Sequence, residues 1–402
     1  MERNPPDFGL FMIVLMLLAL GLVMIYSASA SFSDARYGQP QYLLMRQLVH
    51  ILIGLGAVLV LMHFDYRNLR TIATLLLLAT IGLTGLSLIS QVGRSLGTGA
   101  SRWLEFGPIS FQPTEILKLG LVLFMATSLA RKGKRLGKLT EGMLPYLMIM
   151  GIIILLVLGQ PDFGMAMFLG MIGIVMMFAG GIPTRQLSAL LLAGLPFVYA
   201  LIFYSPYRQQ RILAFLDPLQ YGNEGGYHII QSLVAVGSGG AFGRGLGASR
   251  EIFYLPAGYN DFIFALISEE LGLIGGGVVV VLFGLLGYRG MRIALRAPDR
   301  FGGLLAFGLT FALVFQAALH IGVTIGILPV TGLTLPFISY GGSSLIVSLA
   351  MIGVLLNISR ATGRSEPSWK RERRGRGGRE HPRVGRRHRR SPLSRNRDHR
   401  QA

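Results

Sequence analysis

Cysteine is absent from the 402-residue chain, which excludes a disulfide framework, a thiol nucleophile and thiolate metal ligands, and leaves the redox compartment unreadable. Charge is scarce as well: 14% of residues are charged and 52% hydrophobic. The mean hydropathy of +0.55 is more apolar than one soluble core of this length can use. Acidic residues are the scarcer sign, 19 against 38 Lys and Arg. Nucleotide-binding signatures are missing too, since no Gly-Lys-Ser/Thr follows the glycine run at 237–247, so no P-loop is expected. His320 has no second His or Cys at metal-ligand spacing and reads as interhelical glue rather than a ligand.

What the chain has is apolar runs long enough to cross about 30 Å of hydrocarbon. Ten are readable, near 8–27, 43–62, 71–89, 114–130, 144–159, 165–181, 187–204, 262–287, 303–328 and 341–358. They predict an all-α polytopic membrane protein with long loops between spans three and four and between spans seven and eight. Ser27-Ala28-Ser29-Ala30 mimics a processing site, but the run before it is long and its leader carries Glu2 and Asp7 against Arg3 alone, so the run reads as a retained anchor. Before Arg360, thirteen Lys and Arg fall in one set of connecting segments and eight in the other, counting Arg46 at the edge of the second run. The bias puts both termini in the cytoplasm and the long loops outside.

The net charge of +19 suggests nucleic acid at first sight, yet 16 basic and 4 acidic residues lie after Ser359, leaving +7 for residues 1–359. The expected division is therefore a transmembrane domain at 1–359 and an Arg-rich tail at 360–402. The tail has almost no apolar residue with which to offset ordering entropy, and is expected to be disordered and drawn to anionic lipids rather than to nucleic acid.

Polar chemistry concentrates in the external segments, Ser90 to Pro113 and Ser205 to Asn260; loops of this length are usually functional. Tyr227 to Val236 has the pattern of a short interfacial helix. The glycines that follow read either as a flexible turn, the commoner case, or as an anion cradle. Ionisable residues within or at the ends of spans are costly and call for explanation. Glu115 and Lys118, at i and i+3, are placed to neutralise each other, as a register-fixing ion pair or as part of a site. Asp162 lies in the tight link between spans five and six, and Asp261 opens the eighth span. Glu269 and Glu270 fall two turns further on, as interhelical contacts or a channel lining. The 328–344 link, apolar but rich in Pro and Gly, reads as a broken or re-entrant element.

At these residues the sequence resembles the SEDS family (shape, elongation, division and sporulation), from about Asp7 to Ser359. The resemblance rests on Gly99-Ala100-Ser101-Arg102-Trp103 with Phe111-Gln112-Pro113-Thr114-Glu115, on Gln160-Pro161-Asp162, and on Gly226-Tyr227-His228-Ile229-Ile230-Gln231-Ser232. Asp261-Phe262-Ile263-Phe264-Ala265 with Glu269-Glu270-Leu271-Gly272 and the link ending Ser339-Tyr340-Gly341-Gly342-Ser343-Ser344 complete it. Within the family the chain is more similar to the FtsW division branch than to its close relative RodA, through Ile25-Tyr26-Ser27-Ala28-Ser29 and Gly245-Leu246-Gly247-Ala248-Ser249-Arg250. Tyr259-Asn260 departs from the His-Thr usual before the family's Asp.

The resemblance implies a multi-pass protein of the bacterial cytoplasmic membrane, active at the division septum. It implies an inverting peptidoglycan glycosyltransferase that polymerises lipid II, with undecaprenyl pyrophosphate-linked glycan as substrate, beside a class B penicillin-binding protein and other divisome membrane proteins. Asp261 is the implied catalytic residue, either as base or, with Asp162, as a ligand for Mg or Mn; no nucleotide or organic cofactor is expected. Arg102, Trp103, Arg208, Arg211, His228, Gln231, Ser232, Arg244, Ser339 and Tyr340 are candidates for binding pyrophosphate or glycan. Glu115, Lys118, Asp162, Glu269 and Glu270 are candidates for supporting the cavity. The competing readings are a flippase for lipid-linked precursors and a non-catalytic divisome scaffold.

Overall fold

The computed structural model describes residues 5–89, 93–95, 101–106, 109–221, 226–255 and 258–361. The Arg-rich tail beyond Ala361, the Gly99-Ala100 part of the first motif and Pro256-Ala257 lie outside these residues. Among them ten helices are long and apolar enough to cross a membrane, which agrees with the ten apolar runs. These are α1 (Phe8–Tyr37), α2 (Tyr42–His63), α3 (Tyr66–Leu86), α4 (Pro113–Lys132), α5 (Leu144–Gly159), which a π-helical turn from Leu139 extends to spanning length, α6 (Phe163–Gly180) and α7 (Thr184–Phe203). After three short helices come α11 (Ile263–Arg296), α12 (Arg300–Thr324) and α13 (Gly342–Ala361).

Several boundaries differ from the hydropathy reading because capping, not apolarity, sets them. The α3 helix starts at Tyr66 rather than 71, where the Asp65 carboxylate accepts from the Arg67 amide at 3.0 Å. In the same way Asp299 starts α12 through the Gly302 amide at 2.7 Å. The largest difference is α1, which continues ten residues past 27 and stops at Gly38 in the left-handed conformation.

The most buried spans are α4, α12 and α13, with α6 beside them. Close approach of α2 and α13 depends on small residues: a Cβ at Gly353 would lie 2.9 Å from the Val58 Cα. At the other extreme, α7 carries Pro196 and has Leu187 as its buried residue. The Asp7 amide donates to Ser359 Oγ at 3.1 Å and its carboxylate pairs with Arg289 at 3.3 Å. The two ends of the helical body are thus adjacent, as an even number of spans requires.

Both long connections contain more structure than their sequence suggested. The first folds as an antiparallel sheet of β1 (Gly93–Ser95), β2 (Ser101–Phe106) and β3 (Ile109–Phe111), with Leu104 opposite Phe111. The second contains α8 (Pro206–Leu216), α9 (Gly226–Ser238) and α10 (Gly258–Asp261); α9 covers the predicted interfacial helix.

The glycine run has a use inside the fold. The α11 helix is two segments joined at Gly272, whose φ of +70° breaks the ladder. The run fits into that break. The Arg244 and Gly245 amides donate to the Glu269 and Glu270 carbonyls at 3.0 Å, and the Leu273 amide donates to the Gly240 carbonyl at 2.9 Å. Amides engaged in this way are not open to an anion, so the cradle alternative fails at these positions. A Cβ on Gly272 would meet the Gly243 amide and, at 2.5 Å, the Ala241 carbonyl. Gly272→Ala is therefore expected to cost about 3 kcal/mol from strain and overpacking, seen as a lower midpoint of thermal unfolding in detergent. An unchanged midpoint would show that run and break do not depend on each other.

Candidate active site

The motif of the first long loop and the Gln-Pro-Asp link converge in space. Gln160, fully buried, donates through Nε2 to the Thr84 carbonyl at 3.2 Å and to Ser87 Oγ at 2.5 Å, which fixes the link to α3. Asp162 then caps α6 by accepting from the Met165 amide at 3.1 Å. From β2, Arg102 closes over the link: its Nε donates to the Gln160 carbonyl at 3.2 Å, one Nη to the Pro161 carbonyl at 2.6 Å, and the other lies 3.5 Å from Asp162 Oδ2. Burial raises the Asp162 pKa against the opposing charge of Arg102.

Asp261 ends the one-turn helix α10, just before Phe262, which caps α11. Burial raises its pKa; the charges of Arg211 and Arg102 lower it and that of Asp162 raises it. From sequence alone, helix-end stabilisation and burial left the direction open. Arg211 reaches this point from α8, with its guanidinium 4.7 Å from the Tyr207 ring centroid and donating to the Val330 carbonyl at 3.2 Å. A cavity of about 240 Å³ lies beside Arg211, lined by Tyr207, Gln210, Arg211, Ala214, His228, Ile229 and Val330; Asp261 itself is not on its wall. His228 stacks on Phe262 at 6.1 Å, its pKa lowered by burial and by Arg211, and its buried Nδ1 has no hydrogen-bond partner. The site therefore joins β2, the α5–α6 link, α8, α9 and α10. Gln210 and Val330 are additions that no local sequence signal marks.

Other candidates take different places. Lys118 is fully buried and lies 2.7 Å from Glu115 Oε2 and 2.8 Å from Gln316 Oε1, so the pair is enclosed and does not meet solvent through Lys118. Glu269 and Glu270 hold the glycine-rich segment. Glu269 accepts from Ser249 Oγ at 2.5 Å and the Arg250 amide at 2.9 Å, and Glu270 accepts from Ser27 Oγ at 2.7 Å. Arg208 donates to the Leu201 carbonyl at 2.8 Å but also lies 5.6 Å from the ring of Phe163, next to Asp162, so it stays at the edge of the site, whereas Arg244 donates to the Ser238 carbonyl at 3.4 Å; among the four arginines proposed for pyrophosphate, Arg102 and Arg211 are the two whose charge acts on Asp261. Ser232 is buried, donating to the Thr324 carbonyl at 2.7 Å. Trp103 stands opposite Arg94 in the sheet, partly exposed, and Gln231 is partly exposed on α9.

The 328–344 link is half-buried at its start and exposed at Gly332, but from Leu333 onward it is mostly enclosed by protein, the condition for irregular backbone at membrane depth. Gln316 Nε2 donates to the Thr334 carbonyl at 2.9 Å, His320 Nδ1 to the Leu333 carbonyl at 2.8 Å, and Gln47 Nε2 to the Ser339 carbonyl at 3.3 Å. Its end is tied to the site: Ser339 Oγ donates to the Asn260 carbonyl at 2.8 Å and the Tyr340 amide to the Tyr259 carbonyl at 3.1 Å.

No group of three or more His, Cys, Asp and Glu able to hold a metal ion occurs among the described residues. Asp162 is committed to Arg102 and to its cap, so a divalent cation would find Asp261 as its one uncommitted carboxylate and would need substrate oxygens for the rest. The described residues do not form a pre-built cation site.

Ten spans, a broken helix clasped by a glycine-rich loop and a carboxylate in the field of two guanidiniums at one end of the spans define a polytopic membrane protein with an active-site-like cluster. A family model described as cell cycle protein, covering FtsW, RodA and SpoVE, matches residues 8–364, and the chain belongs to this family. It is 41% identical over 354 residues to the probable peptidoglycan glycosyltransferase FtsW of Geobacter sulfurreducens, spanning 88% of this chain and 95% of the relative. It is 42% identical over 360 residues to the stage V sporulation protein E of Bacillus subtilis, spanning 89% and 98%. Among solved structures, a chain from a study of polymerization and crosslinking by a peptidoglycan synthase complex aligns with a TM-score of 0.76 at 32% identity, covering 90% of this chain and 99% of that one. The Rod shape determining protein RodA of Thermus thermophilus aligns at 0.66 and 31%, covering 90% and 98%.

Proposed function

We propose that this chain is a peptidoglycan glycosyltransferase that polymerises lipid II on the external face of the cytoplasmic membrane, in the synthesis of the division septum. The observation that carries the reading is Asp261: a carboxylate made more basic by burial, within the field of two guanidiniums, at the membrane face where a lipid-linked sugar would present its reacting carbon. In the reaction the acceptor 4-hydroxyl oxygen attacks the anomeric carbon of the donor. The bond from that carbon to pyrophosphate breaks, and configuration inverts from α to β. Asp261 takes the hydroxyl proton. Pyrophosphate leaves without a general acid, provided positive charge meets it, and Arg211 and Arg102 supply that charge.

The test is reconstitution of the purified protein with a class B penicillin-binding protein as its transpeptidase partner, given lipid II in detergent and assayed for glycan strands. Loss of precursor from one leaflet without polymer would instead support a flippase. The pH dependence follows from the direction of the Asp261 shift. The reaction uses the ionised form, so the acid limb of kcat/KM is expected above the ordinary carboxylate pKa of 3.8. Arg211→Gln, which removes a charge that lowers the pKa, should move the limb further up. A limb at or below the ordinary value, measured by a pH–rate profile, would contradict the assignment.

A further inference from the structure

Beyond about Ala28 the α1 helix has no lipid-like run. Ser29, Ser31, Ser33, Asp34 and Arg36 interrupt it, and 30 helical residues measure about 45 Å against about 30 Å of hydrocarbon. The end of α1 therefore stands clear of the bilayer core on the face that carries Asp261. It carries two large exposed rings, Phe32 and Tyr37. They are not scattered as interfacial anchors would be. Phe32 lies 5.7 Å from Tyr259, and Tyr259 lies 6.0 Å from Tyr340. Tyr37 stacks on Tyr42 of α2 at 4.1 Å. Two cations complete the group: the Arg36 guanidinium is 5.7 Å from the Phe32 ring and 5.9 Å from that of Tyr37, and Arg46 is 5.5 Å from that of Tyr42 and reaches the Tyr340 hydroxyl.

We infer that this aromatic and guanidinium platform, running from Tyr259 over the ends of α1 and α2, is a binding site for the growing glycan strand. The inference rests on the glycan-polymerase reading of Asp261. Three features single out this ligand. Tyr259 is two residues from Asp261, so a sugar on the platform is continuous with the reacting centre. Aromatic faces match the C–H faces of pyranose rings while leaving the hydroxyl rim to water. Arg36 and Arg46 are placed to pair with the carboxylates of the peptides on muramyl residues, or with the lactyl carboxylate where no peptide is attached. A strand held here stays at high effective concentration between additions, which makes synthesis processive.

The test uses the full chain with its transpeptidase partner and lipid II, comparing strand length by gel at matched lipid II consumption. Tyr37→Ala/Tyr42→Ala is expected to shorten the mean strand about fivefold by speeding dissociation. Arg36→Glu, which leaves the stacked pair intact, should shorten it also. Tyr204→Ala, at an exposed ring on the end of α7, is the control and should match wild type. In parallel, isothermal titration with a lipid-free oligosaccharide of alternating N-acetylglucosamine and N-acetylmuramic acid should show binding that the double variant loses. Full-length strands from both platform variants overturn the platform and leave the polymerase reading standing. A protein that binds the oligosaccharide through these residues yet makes no polymer overturns the polymerase reading and keeps the platform. Absence of oligosaccharide binding, with strand length following the anionic lipid content of nanodiscs, identifies a lipid belt and overturns it.

Discussion

Asp261→Ala is expected to lower the rate of strand formation by about 10²- to 10⁴-fold, with folding and lipid II binding retained. The size of the effect follows from the position of this carboxylate. Burial favours its neutral form, so in the ionised state it is a stronger base than a solvated carboxylate, and Arg211 and Arg102 keep that ionised state accessible. Asp261→Asn should lose as much, because it keeps the shape and removes the proton acceptor. The decisive measurement is lipid II conversion by the reconstituted protein, with the midpoint of thermal unfolding as a folding control. A variant that folds and polymerises at the wild-type rate would exclude Asp261 as base and as metal ligand alike. Asp162 is a different case: its ties to the Met165 amide and Arg102 make it a positioning residue that also sets the field at Asp261.

Lys118→Met is expected to destabilise the protein by about 3–5 kcal/mol. It removes the ammonium 2.7 Å from a Glu115 carboxylate that is itself buried, and it leaves Gln316 Oε1 without its donor. Replacing both partners removes the orphan charge, so Glu115→Gln/Lys118→Met should recover much of the loss. The measurement is the unfolding midpoint in detergent across the four-member cycle. Gln316 also holds the Thr334 carbonyl at 2.9 Å, so the single variant should loosen the 328–344 link, whose far end is bonded to Asn260 and Tyr259 beside Asp261. Activity lost at an unchanged midpoint would overturn this structural assignment and place the pair in the chemistry.

The spans were readable because each is a local pattern of about 20 apolar residues. The strands of the first loop were not: β1 and β3 are three residues each, too short to show an alternation. The end of α1 escaped because polar residues stopped the hydropathy count while the helix continued, packing Ser29 and Ser33 inward. At the candidate site, Asp261, Asp162, Arg102 and Arg211 could be singled out as residue types out of place near a membrane. Their grouping could not, and neither could the separate contacts of Glu269, Glu270 and Arg244, since equal charges at similar positions in the chain end in different contacts.

By itself the sequence determined the number of spans, the membrane as solvent and the inventory of polar residues that require explanation, because in lipid each segment must satisfy its own backbone. Only the tertiary structure decided which charges act together. Ser27 meets Glu270 across 243 positions and Arg102 meets the Gln160 carbonyl across 58. Coulombic and hydrogen-bond energies depend on distance in space and on burial, and in this chain both are set by how the helices pack.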